Sequence, residues 1–288
     1  MSLVYADLRE YAYAIADGAL AHAGPARMAS QALVPAQLAR SAGVMPRLYD
    51  IASATPLTRE AALAMALAQE ADGEALWLCG LLDVDEGVDQ ATLARALTTR
   101  LVLPLPAVGP CFFRYFDPRV LIQLQWLFTP AQMAWLMGPV RCWKYSIGGA
   151  WEDMRRPEVF AAESPGITRR QAFALQRMNV INTLLERLRP ASVAALRGAG
   201  QDILRQLEKA RDHGLARLQD QEEYAWHGVT VHPEFDRHPR MQALLANLPA
   251  DADYPYRVAT ADLRPEDFDR MREDLNDPAG HTHERSFS

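Results

Sequence analysis

Apolar residues recur along this chain at two spacings, and the switches between them predict where strands give way to helices. From Tyr11 to Ile15 bulky and small residues alternate at the two-residue period of a buried strand, and Asp17-Gly18 follows as turn chemistry. Pro46 to Ile51 predicts a second strand. Thr58 then stands where it can cap an Ala- and Leu-rich helix through Ala71 that stops before Gly73, and Leu76 to Leu82 predicts a third strand. Gln90 to Arg100 returns to helical spacing, with Leu93 and Leu97 on one face. Pro104 and Pro106 keep the 101–108 stretch from continuing that helix.

The segment 111–154 carries the densest local signals. Cys111 to Phe116 is rich in strand-favouring aromatics, and Asp117-Pro118 sets an N-cap acceptor before a proline suited to the first helical position. Val120, Leu121, Leu124 and Leu127 follow as a core-facing stripe. Thr129-Pro130 repeats the cap-then-proline start for a second short helix ending at Gly138-Pro139, and Cys142–Ile147 with Ala150–Met154 flank Gly148-Gly149 as a hairpin.

From Thr168 the pattern turns helical. Phe173, Met178, Ile181, Leu185 and Leu188 predict one amphipathic helix over 168–189 that Pro190 stops, and a second helix is predicted from Gly200 to Gly214. Tyr224 to Leu248 is a mixed segment expected to pack on these helices. The fold class expected is therefore α/β (α+β), in three parts. An N-terminal lobe over 1–157 carries a mixed or parallel sheet with flanking helices, a mainly helical lobe covers 165–262, and the boundary lies between Pro157 and Ile167. The remaining 263–288 form a partly disordered tail with one short acidic helix at most, frayed from Asn276.

Composition narrows the function classes. A chain of 288 residues with 49% hydrophobic and 23% charged residues buries a real core without disulfides or metals. Thirty basic against 36 acidic residues, a net charge of −6, and no concentrated basic run argue against binding nucleic acid through its phosphates. Cys79, Cys111 and Cys142 form no CxxC and sit in apolar stretches, as buried thiols in a reducing compartment do. The opening MSLVYADLRE lacks the apolar core of a signal peptide, and no window of about 18 apolar residues occurs. A cytoplasmic protein with no membrane partner is expected.

Catalytic motifs are missing: there is no GxSxG, GxxxxGK[ST], HExxH or GxGxxG after a strand. Asp83, Asp85 and Asp89 approximate a calcium loop, but Gly87 comes one place early and Ala94 stands where the bidentate Glu is needed. His227, His232, His238, His281 and His283, even with Glu234 or Asp236, match no zinc spacing, and the two His-Pro pairs fit turns. No metal and no cofactor are expected.

The run Phe113-Arg114-Tyr115-Phe116-Asp117-Pro118-Arg119 supports two readings. In one, Asp117 caps, Pro118 starts a helix, the aromatics fill core and an arginine pairs with a carboxylate of the same chain. In the other, Arg114 and Arg119 present donors at a strand-to-helix corner where a partner's carboxylates or carbonyls dock. Trp143, Tyr145 and Trp151 on the hairpin divide the same way, between core and a binding edge.

The stretch Cys-Phe-Phe-Arg-Tyr-Phe-Asp-Pro-Arg-Val-Leu at 111–121, followed by Met137-Gly-Pro-Val140 and Trp143, resembles the bacterial type VI secretion effector adaptor (chaperone) family. Tyr13-Ala-Ile-Ala-Asp17-Gly18-Ala19 is similar to that family's opening strand and turn, and Pro46-Arg47-Leu48, Leu76-Trp77 and Gly80 fall in the expected order. The match covers residues 11–154. The resemblance implies a non-catalytic adaptor that binds a secreted toxic effector and promotes its loading onto the valine-glycine repeat spike protein. The candidate partner-binding residues are Phe113, Arg114, Tyr115, Asp117, Arg119, Trp143 and Trp151, with the helical half expected to select the effector. Two other classes stay open: a hydrolase using Asp17, Asp83 or Asp85 at strand ends, and a structural piece of the apparatus, which the lack of repeats and heptads disfavours.

Overall fold

Tyr13–Ala16 (β1) is buried along its whole length, and a strand with no exposed position needs neighbours on both edges and cover on both faces. The computed structural model, which describes residues 7–23, 28–72, 77–160, 163–248 and 255–277, supplies them. After a single turn at Asp7–Glu10 (α1), β1 is followed by Ser30–Ala32 (β2), Arg47–Asp50 (β3), helix Pro56–Asp72 (α2) and Leu78–Val84 (β4). β1 lies between β3 and β4 and is antiparallel to both, with Tyr13 opposite Asp50 on one side and Leu82 on the other. β3 and β4 thus point the same way, linked through α2, with β1 inserted between them as in a split βαβ unit.

This insertion corrects the expectation of a mixed or parallel sheet. Strand and helix do alternate, but the co-directional strands are not adjacent, so every ladder among the described residues is antiparallel. Helix Gln90–Arg100 (α3) and a separate ribbon of Val102–Leu105 (β5) with Gly109–Phe112 (β6) follow β4. Helices Pro118–Leu127 (α4) and Pro130–Met137 (α5) then lead into the hairpin Val140–Ile147 (β7) and Ala150–Arg155 (β8). The completed sheet runs β2-β3-β1-β4-β7-β8. Pro104 and Pro110 face each other in the ribbon, where a strand's outer edge needs no donor.

Both faces of the sheet are covered. Ala62 and Ala66 of α2 join Tyr49, Leu81, Cys142 and Trp151 in one cluster, while α4 packs along β7 on the side where Trp143 and Tyr145 point. Gly80 lets these layers close, since a Cβ there would lie 2.2 Å from Trp143 Nε1 and 2.9 Å from the Lys144 carbonyl oxygen. Cys79 and Cys142 are buried as expected, whereas Cys111 at the ribbon is only half-buried.

The starts of α2, α4 and α5 follow the cap-then-proline rule, with one shift. Thr55, not Thr58, caps α2: its Oγ1 accepts the Thr58 N–H at 3.2 Å, one residue before Pro56. Asp89 caps α3, and Asp117 and Thr129 cap α4 and α5. The strand expected through Phe116 ends at Phe112, because Phe113 to Phe116 turn inward as a buried corner.

Two facing capping boxes decide where the first unit ends. Gln132 closes the box of Thr129, Gln171 closes that of Thr168, and the two buried amides donate to each other's Oε1 at 3.1 and 2.8 Å. They hold helix Arg169–Gln176 (α6) in the first unit, so the chain divides after Gln176 rather than between Pro157 and Ile167.

The second unit is helical throughout the described residues: Met178–Leu188 (α7), Val193–Asp212 (α8), Leu218–Thr230 (α9), Pro239–Ala246 (α10), Pro255–Thr260 (α11) and Pro265–Asn276 (α12), with a short 3-10 turn at Phe235–Arg237. The single helix expected over 168–189 is broken at Arg177, whose backbone leaves the helical region while its Nε donates to Gln221 Oε1 at 3.0 Å. α8 begins at the Ser192 cap, upstream of the expected Gly200 start. α12 is the short acidic helix, yet Met271 is buried in the core, so 263–277 belongs to this unit and is no tail. The expectation for 278–288 falls outside the described residues. Among the described residues no helix is long and apolar enough to cross a membrane.

His227 sits in this second core with Nδ1 2.8 Å from the Tyr256 hydroxyl. Burial, helped by the Arg187 guanidinium, outweighs half-buried Glu223 at 3.5 Å and lowers its pKa to about 4. Below the ordinary value of 6.5 the unfolded chain takes up a proton that the folded chain refuses, so stability falls as pH drops from 6.5 towards 4. Denaturant unfolding should show a loss of about 2 kcal/mol between about pH 6.5 and pH 5 from this group, and His227→Gln should abolish it. Separately, Gly80→Ala should destabilise by ~1–3 kcal/mol through overpacking against Trp143, read as a lower melting temperature.

Candidate functional site

Asp17 ends β1 under tight constraint. Its N–H donates to the Trp77 carbonyl at 3.0 Å, tying it to the start of β4, and a Cβ on the next residue, Gly18, would fall 1.9 Å from the Met45 carbonyl oxygen. With its backbone held, Asp17 Oδ1 accepts the Ala19 N–H at 2.9 Å and Oδ2 accepts Arg114 Nη2 at 2.8 Å. The same Nη2 lies 3.5 Å from Asp117 Oδ2, and the Arg114 guanidinium stacks 5.2 Å from the Phe116 ring centre.

Asp117 is the hub of the corner. Its Oδ1 accepts the Arg119 backbone N–H at 3.0 Å and Arg119 Nε at 3.2 Å, and its Oδ2 accepts Arg119 Nη2 at 3.0 Å. Burial opposes ionisation, but the bonds from Arg119, with Arg114 close by, hold the carboxyl below its ordinary value. Burial likewise opposes charge on Arg114, and Asp17 outweighs it. Behind them the buried Cys79 thiol is pushed up by burial and by both carboxylates, the reverse of an activated nucleophile.

Two arginines and two aspartates thus form a balanced cluster, with Asp117 buried, Arg114 half-buried and Arg119 exposed. Phe113, Tyr115, Trp143 and Trp151 do not join a surface with them. All four are buried: Tyr115 stacks edge-on against Trp143 at 6.0 Å and donates its hydroxyl to the Leu97 carbonyl at 2.8 Å, and Trp151 belongs to the cluster under α2. As binding candidates these aromatics are corrected to core, because the sheet is covered on both faces. Only Arg114 and Arg119 remain accessible.

The strand-end carboxylates do not converge. Since β1 and β4 are antiparallel, Asp17 lies at one end of the sheet and Asp83 and Asp85 at the other. Asp83 pairs with Arg141 at 2.7 Å, and Asp85 receives both terminal nitrogens of Arg156 at 2.7 and 2.8 Å, which lowers its pKa. His238 caps α10 and His232 Nδ1 accepts the Glu234 N–H, so both are spent on turns. Among the described residues no three His, Cys, Asp or Glu side chains are grouped to hold a metal.

Sequence reasoning missed a groove of about 750 Å³ at the Asp83 end of the sheet, where α3, α5, β7 and β8 bring together Arg100, Trp135, Arg141, Arg155 and Arg156, with Phe160 beyond β8. Only the adjacent Arg155-Arg156 signalled it in the sequence. Comparison with family models, curated proteins and solved structures finds no significant match to this chain.

The corner generates a double-mutant cycle. Asp17→Asn and Arg114→Ala should each destabilise by ~1–2 kcal/mol, with a coupling energy of about 1 kcal/mol between them, read from denaturant unfolding. Arg119→Ala should destabilise by ~1–2 kcal/mol, since it leaves the buried Asp117 carboxylate with only the longer Arg114 contact.

Proposed function

We propose that this chain is a non-catalytic cytoplasmic adaptor that binds a type VI secretion effector and promotes its loading onto the valine-glycine repeat spike protein. The observation that carries the reading is the ion pair between Arg114 and Asp17. The two stretches that resemble the adaptor family, around 13–19 and 111–121, lie far apart in the chain yet meet through this contact at 2.8 Å. A shared motif whose residues build one corner is what a fold common to a family requires, and its buried aromatics then serve the scaffold while Arg119, bonded to Asp117, stays exposed at the rim. The wide separation of Asp17 from Asp83 and Asp85, each paired to an arginine, supports a binding role over hydrolysis.

The test is co-expression with the product of the adjacent gene, followed by affinity capture and size-exclusion with light scattering. A stoichiometric complex, with the partner insoluble when expressed alone, is the expected result. Arg119→Ala should then weaken capture about tenfold, roughly 1.4 kcal/mol, measured at a temperature where the variant is still fully folded. A monomer that captures neither the neighbouring product nor a spike protein overturns the reading.

A further inference from the structure

The groove at the Asp83 end of the sheet holds more cationic charge than its surroundings neutralise. Arg141 and Arg156 are matched by Asp83 and Asp85. Arg100 is not matched: its Nε donates to the Trp135 carbonyl at 2.6 Å, its Nη1 to the Ala96 carbonyl, and its guanidinium stacks on the Trp135 ring at 5.4 Å. Its Nη2 lies against Gly138, where a Cβ would come within 2.5 Å. Arg155 is exposed and has no ion-pair partner among the described residues. Four arginines therefore line the groove against Glu158 in the lining and the two aspartates behind it, a local excess of positive charge on a chain of net −6.

A half-buried guanidinium bonded only to carbonyls leaves its charge uncompensated, and a carboxylate is the counter-charge that compensates it. The apolar half of the site lies beside it. Phe160 is 98% exposed and Val159 49%, and with the half-buried Trp135 ring they offer an anchor surface next to the arginines. A free anion would use the charge and leave the aromatics idle. A nucleic acid would meet the acidic remainder of the molecule.

We propose that this groove binds an acidic peptide segment of a partner protein, its carboxylates on Arg100 and Arg155 and a neighbouring apolar side chain against Phe160 and Trp135. The inference rests on the adaptor reading for the choice of a protein as partner, and it adds the chemistry of the segment recognised.

The experiment selects a random dodecapeptide display library on the full chain and measures a selected synthetic peptide by fluorescence anisotropy. Peptides rich in Asp and Glu beside Leu, Phe or Trp are expected, with affinity falling at least about tenfold in Arg155→Glu and in Phe160→Ala and falling with salt. Both substituted side chains are solvent-exposed, and Arg95→Ala, an exposed arginine elsewhere on α3, serves as the control that leaves binding unchanged. No acidic enrichment, equal binding by the variants, or equal displacement by inorganic phosphate or a single-stranded oligonucleotide overturns the proposal. The library contains no effector, so peptide binding that persists while co-expression yields no complex counts against the adaptor reading alone, and the converse against the groove alone.

Discussion

The Arg114 guanidinium between Asp17 and Asp117 is the contact on which the first unit turns. It joins the end of the central strand to the corner from which α4 departs, across nearly a hundred residues of chain. The two carboxylates face little water, and an ionised carboxylate in that position is tolerable only when paired and hydrogen-bonded. Arg114 and Arg119 provide that pairing between them. Close approaches accompany the corner: Gly18 admits the Met45 carbonyl, and Gly80 on β4 admits the Trp143 indole from the neighbouring β7.

With β1 buried on both edges and both faces, the aromatics that looked available for a partner have work inside the fold. Tyr115, Phe116 and Trp143 form a chain of edge-on rings between α4 and β7. What the covering layers leave at the rim is charged: Arg114 and Arg119, paired to Asp17 and Asp117, at one end of the sheet, and the arginine-lined groove at the other. Strands that end in paired carboxylates make poor general bases, because their charge is already neutralised by a neighbouring guanidinium.

The second unit relies on a different device. α8 and α9 approach closely at Gly228, where a Cβ would meet the Gln206 side chain at 2.3 Å, and Tyr224, His227, Phe235 and Tyr256 form a ring cluster in the same unit. Keeping His227 neutral is the condition for that packing, which makes acid the natural stress on this unit. In the first unit, the mutual bonding of Gln132 and Gln171 shows buried polar groups used the other way, satisfied by each other, by the helix starts they cap and by the Pro165 and Leu127 carbonyls.

Local chemistry was readable in the residues themselves. Asp117-Pro118 and Thr129-Pro130 start helices because the cap acceptor and the proline act within one turn. The Gly148-Gly149 hairpin and the short acidic helix at 265–276 are likewise encoded by neighbouring residues, and so is the α+β class, which follows from the change in apolar spacing. The break at Arg177 carries no glycine or proline, and it coincides with a bond to the distant Gln221. The antiparallel sheet depends on β1 slipping between β3 and β4, a choice of pairing partner that no local pattern records. The burial of Trp143 and Trp151, the separation of Asp17 from Asp83, and the gathering of four arginines in one groove are of the same kind. Sequence alone determined what each segment does within a turn or two of itself; which segments meet was decided by the tertiary structure, because contacts between distant residues depend on how whole faces are covered.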